Sequence, residues 1–281
     1  MPVAEVNGIQ ICYETFGSES DPALVLINGL GSQMIRWPEG FRNQLVDSGF
    51  RVITLDNRDV GLTTKFDDAT ESPAYSVDDM ADDVAALLDH LGIAAAHIVG
   101  QSMGGMIGQV LALRHTPRVL SLASVMSATG DDAILAPDPD VLKIFTEPAE
   151  TERVKVIEQD VRHRRIMAGG GFSFDEDYIR DLAARCYDRC YLPAGRVRQM
   201  LAIQTAKPRA KDLAQLTTPI VVIHGTDDKL VPFSNGESMA AAIPGAGLVA
   251  VEGMGHDLPK GAWTQIVEAI VSNTRRAATV N

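Results

Sequence analysis

Two rhythms of apolar and polar positions alternate along this chain. Short apolar runs read as strands, and between them apolar residues return every three or four positions, as on one face of a helix. Val3 to Val6 and Ile9 to Phe16 flank Asn7-Gly8, which predicts a hairpin with a tight turn. Ala23 to Ile27 is apolar throughout and predicts a buried strand, Pro38 to Asp47 a helix with Phe41 and Leu45 on one side, and Arg51 to Leu55 another strand. Ser76 is an apt N-cap for a helix whose stripe is Met80, Val84, Leu87, Leu88 and Leu91, and Gly92 stops it. A strand ending at Val99, a helix through Met106, Ile107, Val110, Leu111 and Leu113 that ends near Pro117, and a strand over Val119 to Val125 follow. This order predicts an α/β fold, with a mostly parallel sheet covered by helices on both faces.

The alternation stops near Gly130. From Asp131 to Leu216 the chain carries helical patterns, among them Val154, Ile157 and Val161, then Ile179, Leu182 and Ala183, and no strand pattern. Gly169-Gly170-Gly171 interrupts them and reads as a flexible joint or a turn. Strand and helix patterns resume at Pro219 to His224, Glu237 to Ala242, Leu248 to Val251 and Ala262 to Asn273, and the tail from Arg275 to Asn281 is expected to fray. Residues 1–130 and 217–281 are therefore expected to form the core, and residues 131–216 an inserted helical cap, or lid. Open parallel sheets bind ligands at the carboxyl edge of their strands, where this cap would sit.

Composition narrows the partners. Apolar residues make up 46% and charged residues 22%, as in a globular domain with a sizeable core. A formal charge of −12 argues against nucleic acid or an anionic membrane surface as the main partner. No apolar run approaches a membrane span, and no secretion signal opens the chain. Cys12, Cys186 and Cys190 suggest neither a disulfide framework nor a metal site, so a reducing cytoplasm is the expected location. A monomer and a homodimer are equally compatible with this composition.

The chemistry centres on Gly100-Gln101-Ser102-Met103-Gly104, a G-x-S-x-G turn between strand and helix. Such a turn projects a serine hydroxyl from the sheet edge, and a Cβ at either glycine would crowd it. Serine needs a base. Of the six histidines, His90, His97, His115 and His163 read as surface or structural, and His224 ends a strand in a structural role. His256, in Gly253-Met254-Gly255-His256-Asp257 just past the last strand, falls at the same edge as Ser102. The carboxylate that orients it follows the strand ending at His224. The Gly-x-x-Asp-x-x-Val-Pro spacing favours Asp228, with Asp227 as the alternative. The order Ser102, Asp228, His256 is that of one specific hydrolase fold. Backbone N–H groups of Met103 and Leu30 are the expected oxyanion donors. The block Asp56 to Gly61 should brace the Leu30 loop through Arg58. Phe145, Phe172, Phe174, Tyr178, Tyr187, Leu192 and Met200 are candidates for an apolar substrate pocket, or equally for the core of the cap, and Trp37, in the loops near Leu30, is a further pocket candidate.

These motifs give the chain a resemblance to the α/β-hydrolase superfamily along nearly its whole length. Within it the chain resembles the group of aclacinomycin-methylesterase-like enzymes, bacterial lipase/esterases and macrolide esterases. The shared stretches are Asn28-Gly29-Leu30-Gly31, Asp56 to Gly61, Gly100 to Gly105 and Gly253 to His256. One departure is Asn28, where many members carry a histidine that braces the loop and transfers no proton. The resemblance implies the α/β-hydrolase fold, the triad Ser102, Asp228 and His256, and an oxyanion hole at Leu30 and Met103. It implies hydrolysis of a small-molecule carboxylic ester, such as a bulky ester, a methyl ester or a macrolactone, without metal or organic cofactor. A perhydrolase, a thioesterase and a C–C hydrolase share this triad, and a ligand receptor on a hydrolase fold is the alternative outside catalysis. An aspartate-nucleophile dehalogenase or epoxide hydrolase is excluded by Ser102.

Overall fold

The structure, a computed structural model, describes residues 1–68, 72–131 and 138–277. Strands β1 (Val3–Val6), β2 (Ile9–Phe16), β3 (Ala23–Ile27), β4 (Arg51–Leu55), β5 (Ala96–Gln101), β6 (Val119–Val125), β7 (Ile220–Gly225) and β8 (Gly247–Val251) form one sheet. Its order is β1-β2-β4-β3-β5-β6-β7-β8. β1 pairs with β2, and β2 with β4, antiparallel, and the other neighbours are parallel. Every residue of β3 is buried, as a strand covered on both faces requires, which explains its unbroken apolar run.

Helices α1 (Glu39–Asp47), α2 (Val77–His90) and α3 (Met103–Arg114) precede or follow these strands, and α9 (Phe233–Ala242) and α10 (Trp263–Ala277) close the chain. α2, α3 and α9 pack one face of the sheet, with Met80, Val84, Leu87, Ile107 and Met239 in that layer. α1 and α10 cover the other through Phe41, Leu45, Ile266 and Ile270. Ser76 caps α2 reciprocally. Its Oγ accepts the Asp79 N–H at 3.2 Å, and Asp79 Oδ2 accepts the Ser76 N–H at 2.8 Å.

Between β6 and β7 lie α4 (Pro139–Thr146), α5 (Arg153–Met167), α6 (Glu176–Arg189), α7 (Pro193–Gln204) and the short α8 (Ala210–Leu213). The start expected for the insertion falls partly on residues 132–137, outside the described residues. Two boundaries differ most from expectation. α9 begins at Phe233, directly after Pro232, four residues before the apolar periodicity becomes visible. α10 continues through Arg275 and Arg276 to Ala277, because Arg276 Nη1 donates to the Ile220 carbonyl at 3.1 Å and to Asn273 Oδ1 at 3.1 Å. The rest of the expected frayed tail, residues 278–281, lies outside the described residues. No helix among the described residues is long and apolar enough to cross a membrane.

Candidate active site

Ser102 stands between β5 and α3 with φ 56° and ψ −120°, a backbone conformation that non-glycine residues rarely adopt. Contacts on all sides fix it. Its N–H donates to the Val125 carbonyl at 2.8 Å, and its own carbonyl accepts the Gly105 N–H at 2.8 Å and the Ser127 hydroxyl at 2.8 Å. The flanking glycines are required by close approach. A Cβ on Gly100 would lie 2.1 Å from the Gly104 carbonyl oxygen, and one on Gly104 would lie 2.1 Å from that of Ile27. Helix α3 therefore starts hard against two strands, and the serine is the residue left to turn the corner.

The loop after β8 brings His256 to it, with Nε2 3.0 Å from Ser102 Oγ. On the other side of the ring, Nδ1 lies 2.7 Å from Asp228 Oδ2. The second carboxylate oxygen, Oδ1, accepts the N–H groups of Leu230 at 2.9 Å and Val231 at 2.8 Å, so the turn after β7 aims the carboxylate. Burial alone would raise the Asp228 pKa. The attraction of His256 and hydrogen bonds from His224 and His256 outweigh that and hold it well below the usual carboxylate range. The neighbouring Asp227 faces elsewhere: its Oδ2 accepts the Gly170 N–H at 3.0 Å. His224 was expected to be structural, and its Nε2 does bond the Val231 carbonyl at 2.8 Å. The same atom lies 3.5 Å from Asp228 Oδ2, a proximity the sequence did not signal.

The loop after β3 closes over the serine. A Cβ on Gly29 would sit 3.1 Å from that of Ser102. Met103 opens α3, so its N–H lacks an intrahelical acceptor, and Leu30 lies next to Gly29 in the same loop. Asn28, where a histidine is usual, does the bracing with its amide: Nδ2 donates to the Gln33 carbonyl at 3.0 Å, and the Asn28 carbonyl accepts Asn57 Nδ2 at 3.0 Å. Arg58 holds this region to α2 through a buried two-point pair with Asp83, both bonds 2.7 Å. Two further braces come from residues that reading the sequence missed. Gln199, fully buried on α7, accepts the Gly31 N–H at 2.7 Å and donates to the Arg58 carbonyl at 2.8 Å. Gln33 Nε2 donates to the carbonyls of Cys186 and Cys190, each at 2.7 Å. A polar residue on an otherwise ordinary amphipathic helix carried no local sign of such a partner.

The pocket candidates scatter. Trp37 is 2% exposed and stacks on Phe41 at 5.7 Å, in the core layer under α1 rather than in an open cavity wall. Phe172 packs against that same layer, its Cδ1 only 2.8 Å from where a Gly261 Cβ would stand. The Arg165 guanidinium lies 4.4 Å over the Phe174 ring, and that of Arg196 5.1 Å over Phe145. Tyr187 stacks on Tyr191 at 5.2 Å, and Tyr178 is exposed. Leu192 and Met200 are half-buried at the start and on the body of α7. The triple glycine, which reads as a flexible joint or a turn, packs on the His256 loop: the Gly171 N–H donates to the Gly253 carbonyl at 2.9 Å and the Gly170 N–H to Asp227. Among the described residues no cluster of histidine, cysteine, aspartate or glutamate could hold a metal ion.

This arrangement can be set beside known proteins. The family described as the alpha/beta hydrolase fold matches residues 22–260. The chain is 32% identical to the rhodomycin D methylesterase DauP of Streptomyces sp. (strain C5), over 97% of each chain. It is 32% identical to the rhodomycin D methylesterase DnrP of Streptomyces peucetius over the full length of both. Among solved structures it is similar to the enol-lactonase from Burkholderia xenovorans LB400, with a TM-score of 0.69 at 26% identity, covering 99% of this chain and 100% of that one.

Proposed function

The chain belongs to the α/β-hydrolase family, and from that premise we propose that it is a serine-dependent hydrolase of carboxylic esters. The observation that carries the reading is the continuous relay from Ser102 Oγ through His256 to Asp228, at 3.0 and 2.7 Å. Ser102 attacks the ester carbonyl as His256 Nε2 takes its proton. Asp228 fixes the ring so that Nδ1 keeps its proton, and it stabilises the imidazolium that forms. The oxyanion of the tetrahedral intermediate is received by the backbone N–H groups of Leu30 and Met103. His256 returns the proton to the leaving alcohol, and water then repeats the sequence to release the acid from the acyl-enzyme. Ser102, His256, Asp228, two backbone N–H groups and water carry the steps of this sequence.

The insertion between β6 and β7 is the cap of this reading. It meets the site from two sides, through Gln199 at the Leu30 loop and Gly169 to Gly171 at the His256 loop. The similarity to two rhodomycin D methylesterases favours a methyl ester of a bulky small molecule as substrate. The test is a panel of short acyl esters, long acyl esters, methyl esters of bulky acids and macrolactones, assayed with wild type and Ser102→Ala. Wild type should prefer the methyl esters, and Ser102→Ala should stay folded while losing about 10⁴- to 10⁶-fold in kcat. A variant that keeps most of its activity would sink the mechanism. A preference for another class of ester would overturn the substrate assignment alone.

A further inference from the structure

The cap meets the loop that carries His256 backbone to backbone. α5 ends at Met167, whose carbonyl accepts the N–H of His256 itself at 2.8 Å. Four residues on, the Gly171 N–H donates to the Gly253 carbonyl at 2.9 Å. Between these two bonds Gly169 and Gly171 lie against Gly253 and Gly255 too closely for a side chain at any of the four. A Cβ on Gly169 would stand 2.1 Å from the Gly253 oxygen and 2.5 Å from the Gly255 nitrogen, and one on Gly171 would stand 2.6 Å from the Gly253 Cα. The fit is reciprocal. A Cβ on Gly253 would meet the Gly171 Cα at 2.5 Å, and one on Gly255 the Gly169 nitrogen at 2.2 Å.

Asp227 ties the assembly to the strand ends. Its carboxylate accepts the Gly170 N–H at 3.0 Å, while its own N–H donates to the Met254 carbonyl at 3.0 Å. One residue thus grips both loops, next to the carboxylate that orients the imidazole.

We propose that Gly169, Gly171 and Asp227 are positioning residues for His256, so that the cap sets the place of the base as well as covering the site. This rests on the reading of His256 as the base of an ester hydrolase. The obstacles are backbone atoms, which no rotamer change relieves, so a methyl group at position 169 must displace one loop relative to the other. A shift near 1 Å at a reacting group is enough to lower a rate by about a hundredfold while leaving binding intact. The effect should therefore appear in kcat and not in KM.

The experiment compares Gly169→Ala, Asp227→Ala and Asp227→Asn with wild type. It measures kcat and KM on the best ester of the panel, together with hydrogen–deuterium exchange of the amides from residue 252 to 258. Gly169→Ala should lose about 10- to 100-fold in kcat and Asp227→Ala about 3- to 10-fold, with KM within about twofold of wild type. Asp227→Asn should recover most of the loss, because its amide oxygen still accepts the Gly170 N–H. The His256 amide should exchange faster in both alanine variants. If Gly169→Ala does not fold, Asp227→Ala decides, since that side chain is exposed. A kcat within twofold of wild type in the alanine variants overturns the proposal, as does a loss carried by KM. So does unchanged exchange. A wild type that turns over no ester refutes the ester reading instead, and the exchange result then decides the positioning by itself.

Discussion

Asp227 and Asp228 are adjacent and chemically identical, yet their surroundings give them different work. Asp228 is buried, accepts two backbone N–H groups and meets His256, whereas Asp227 points at the cap. Asp228→Asn should lower kcat by about 10⁴-fold, since the amide would stabilise the wrong imidazole tautomer, and Asp227→Asn should cost at least a hundredfold less. Steady-state kinetics on one chromogenic ester checks the ranking, and the reverse order would mean that the orienting carboxylate is misassigned. Asp257, directly after the histidine, is a different case. Burial pushes its carboxyl up to about 6, against a hydrogen bond from the Gly255 backbone and the attraction of Arg164, and its Oδ1 has no hydrogen-bond partner among the described residues. A raised carboxyl costs stability once it ionises, so the penalty grows as the pH rises from the unfolded value of 3.8 through about 6. Asp257→Asn should accordingly stabilise the fold at pH 8 by on the order of 1–2 kcal/mol and have little effect near pH 4, as measured by denaturant unfolding. Equal effects at both pH values would argue against a buried charge.

The strands and most helices were legible element by element, because each buries a face whose period the sequence displays. β3, β4 and β6 fall where their apolar runs predict, and the Ser76 cap starts α2 at the expected residue. The spacing of the nucleophile turn was equally plain, since only glycine fits where α3 starts against β3. The helical insertion between β6 and β7 was less readable. α7 buries Gln199 and half-buries Met200, and Gln199 finds its partner Gly31 168 residues away, so no local pattern announces its facing. Aromatic residues are ambiguous for the same reason: size marks them for burial, and burial against the core looks the same in sequence as burial around a ligand. These placements separate three predictions for one ester series graded in bulk. Met200 lies one helical turn from Arg196, whose stem touches Gly31, so Met200→Ala should change the bulky-to-small ratio of kcat/KM by about tenfold. Phe174→Ala, beneath an exposed arginine, should leave that ratio within about twofold. Phe172→Ala should lower stability by about 1–2 kcal/mol through lost contact with the Gly261 turn, with the ratio unchanged. A uniform change in all three would mean that selectivity resides in the loops around Leu30.

Across the whole molecule, acid should act through buried groups more than through the surface charge. His97, on β5 and bonded to Ser121 Oγ at 2.9 Å, is held down to about 4 by burial. Its contribution is complete above the ordinary value of 6.5 and is lost as the pH falls from there toward about 4. Asp228 adds a further loss below the ordinary carboxylate value of 3.8, because its folded form is the ionised one. The His97 share of the unfolding free energy should therefore fall by about 2–3 kcal/mol between pH 7 and pH 4.5, partly offset by relief of the Asp257 penalty, and His97→Gln should remove that share. Denaturant titrations at the two pH values test it, and a slope unaltered in the variant would assign the loss elsewhere. The interlocked glycines carry a last consequence, for the way such proteins can diverge. Because Gly169 and Gly171 meet backbone in Gly253 and Gly255, and the reverse, no single replacement on one loop can be accommodated by a compensating replacement on the other. The two segments, some 80 residues apart in sequence, are bound to be inherited together. A chimaera that imports a relative's cap will need that relative's histidine loop in the same exchange.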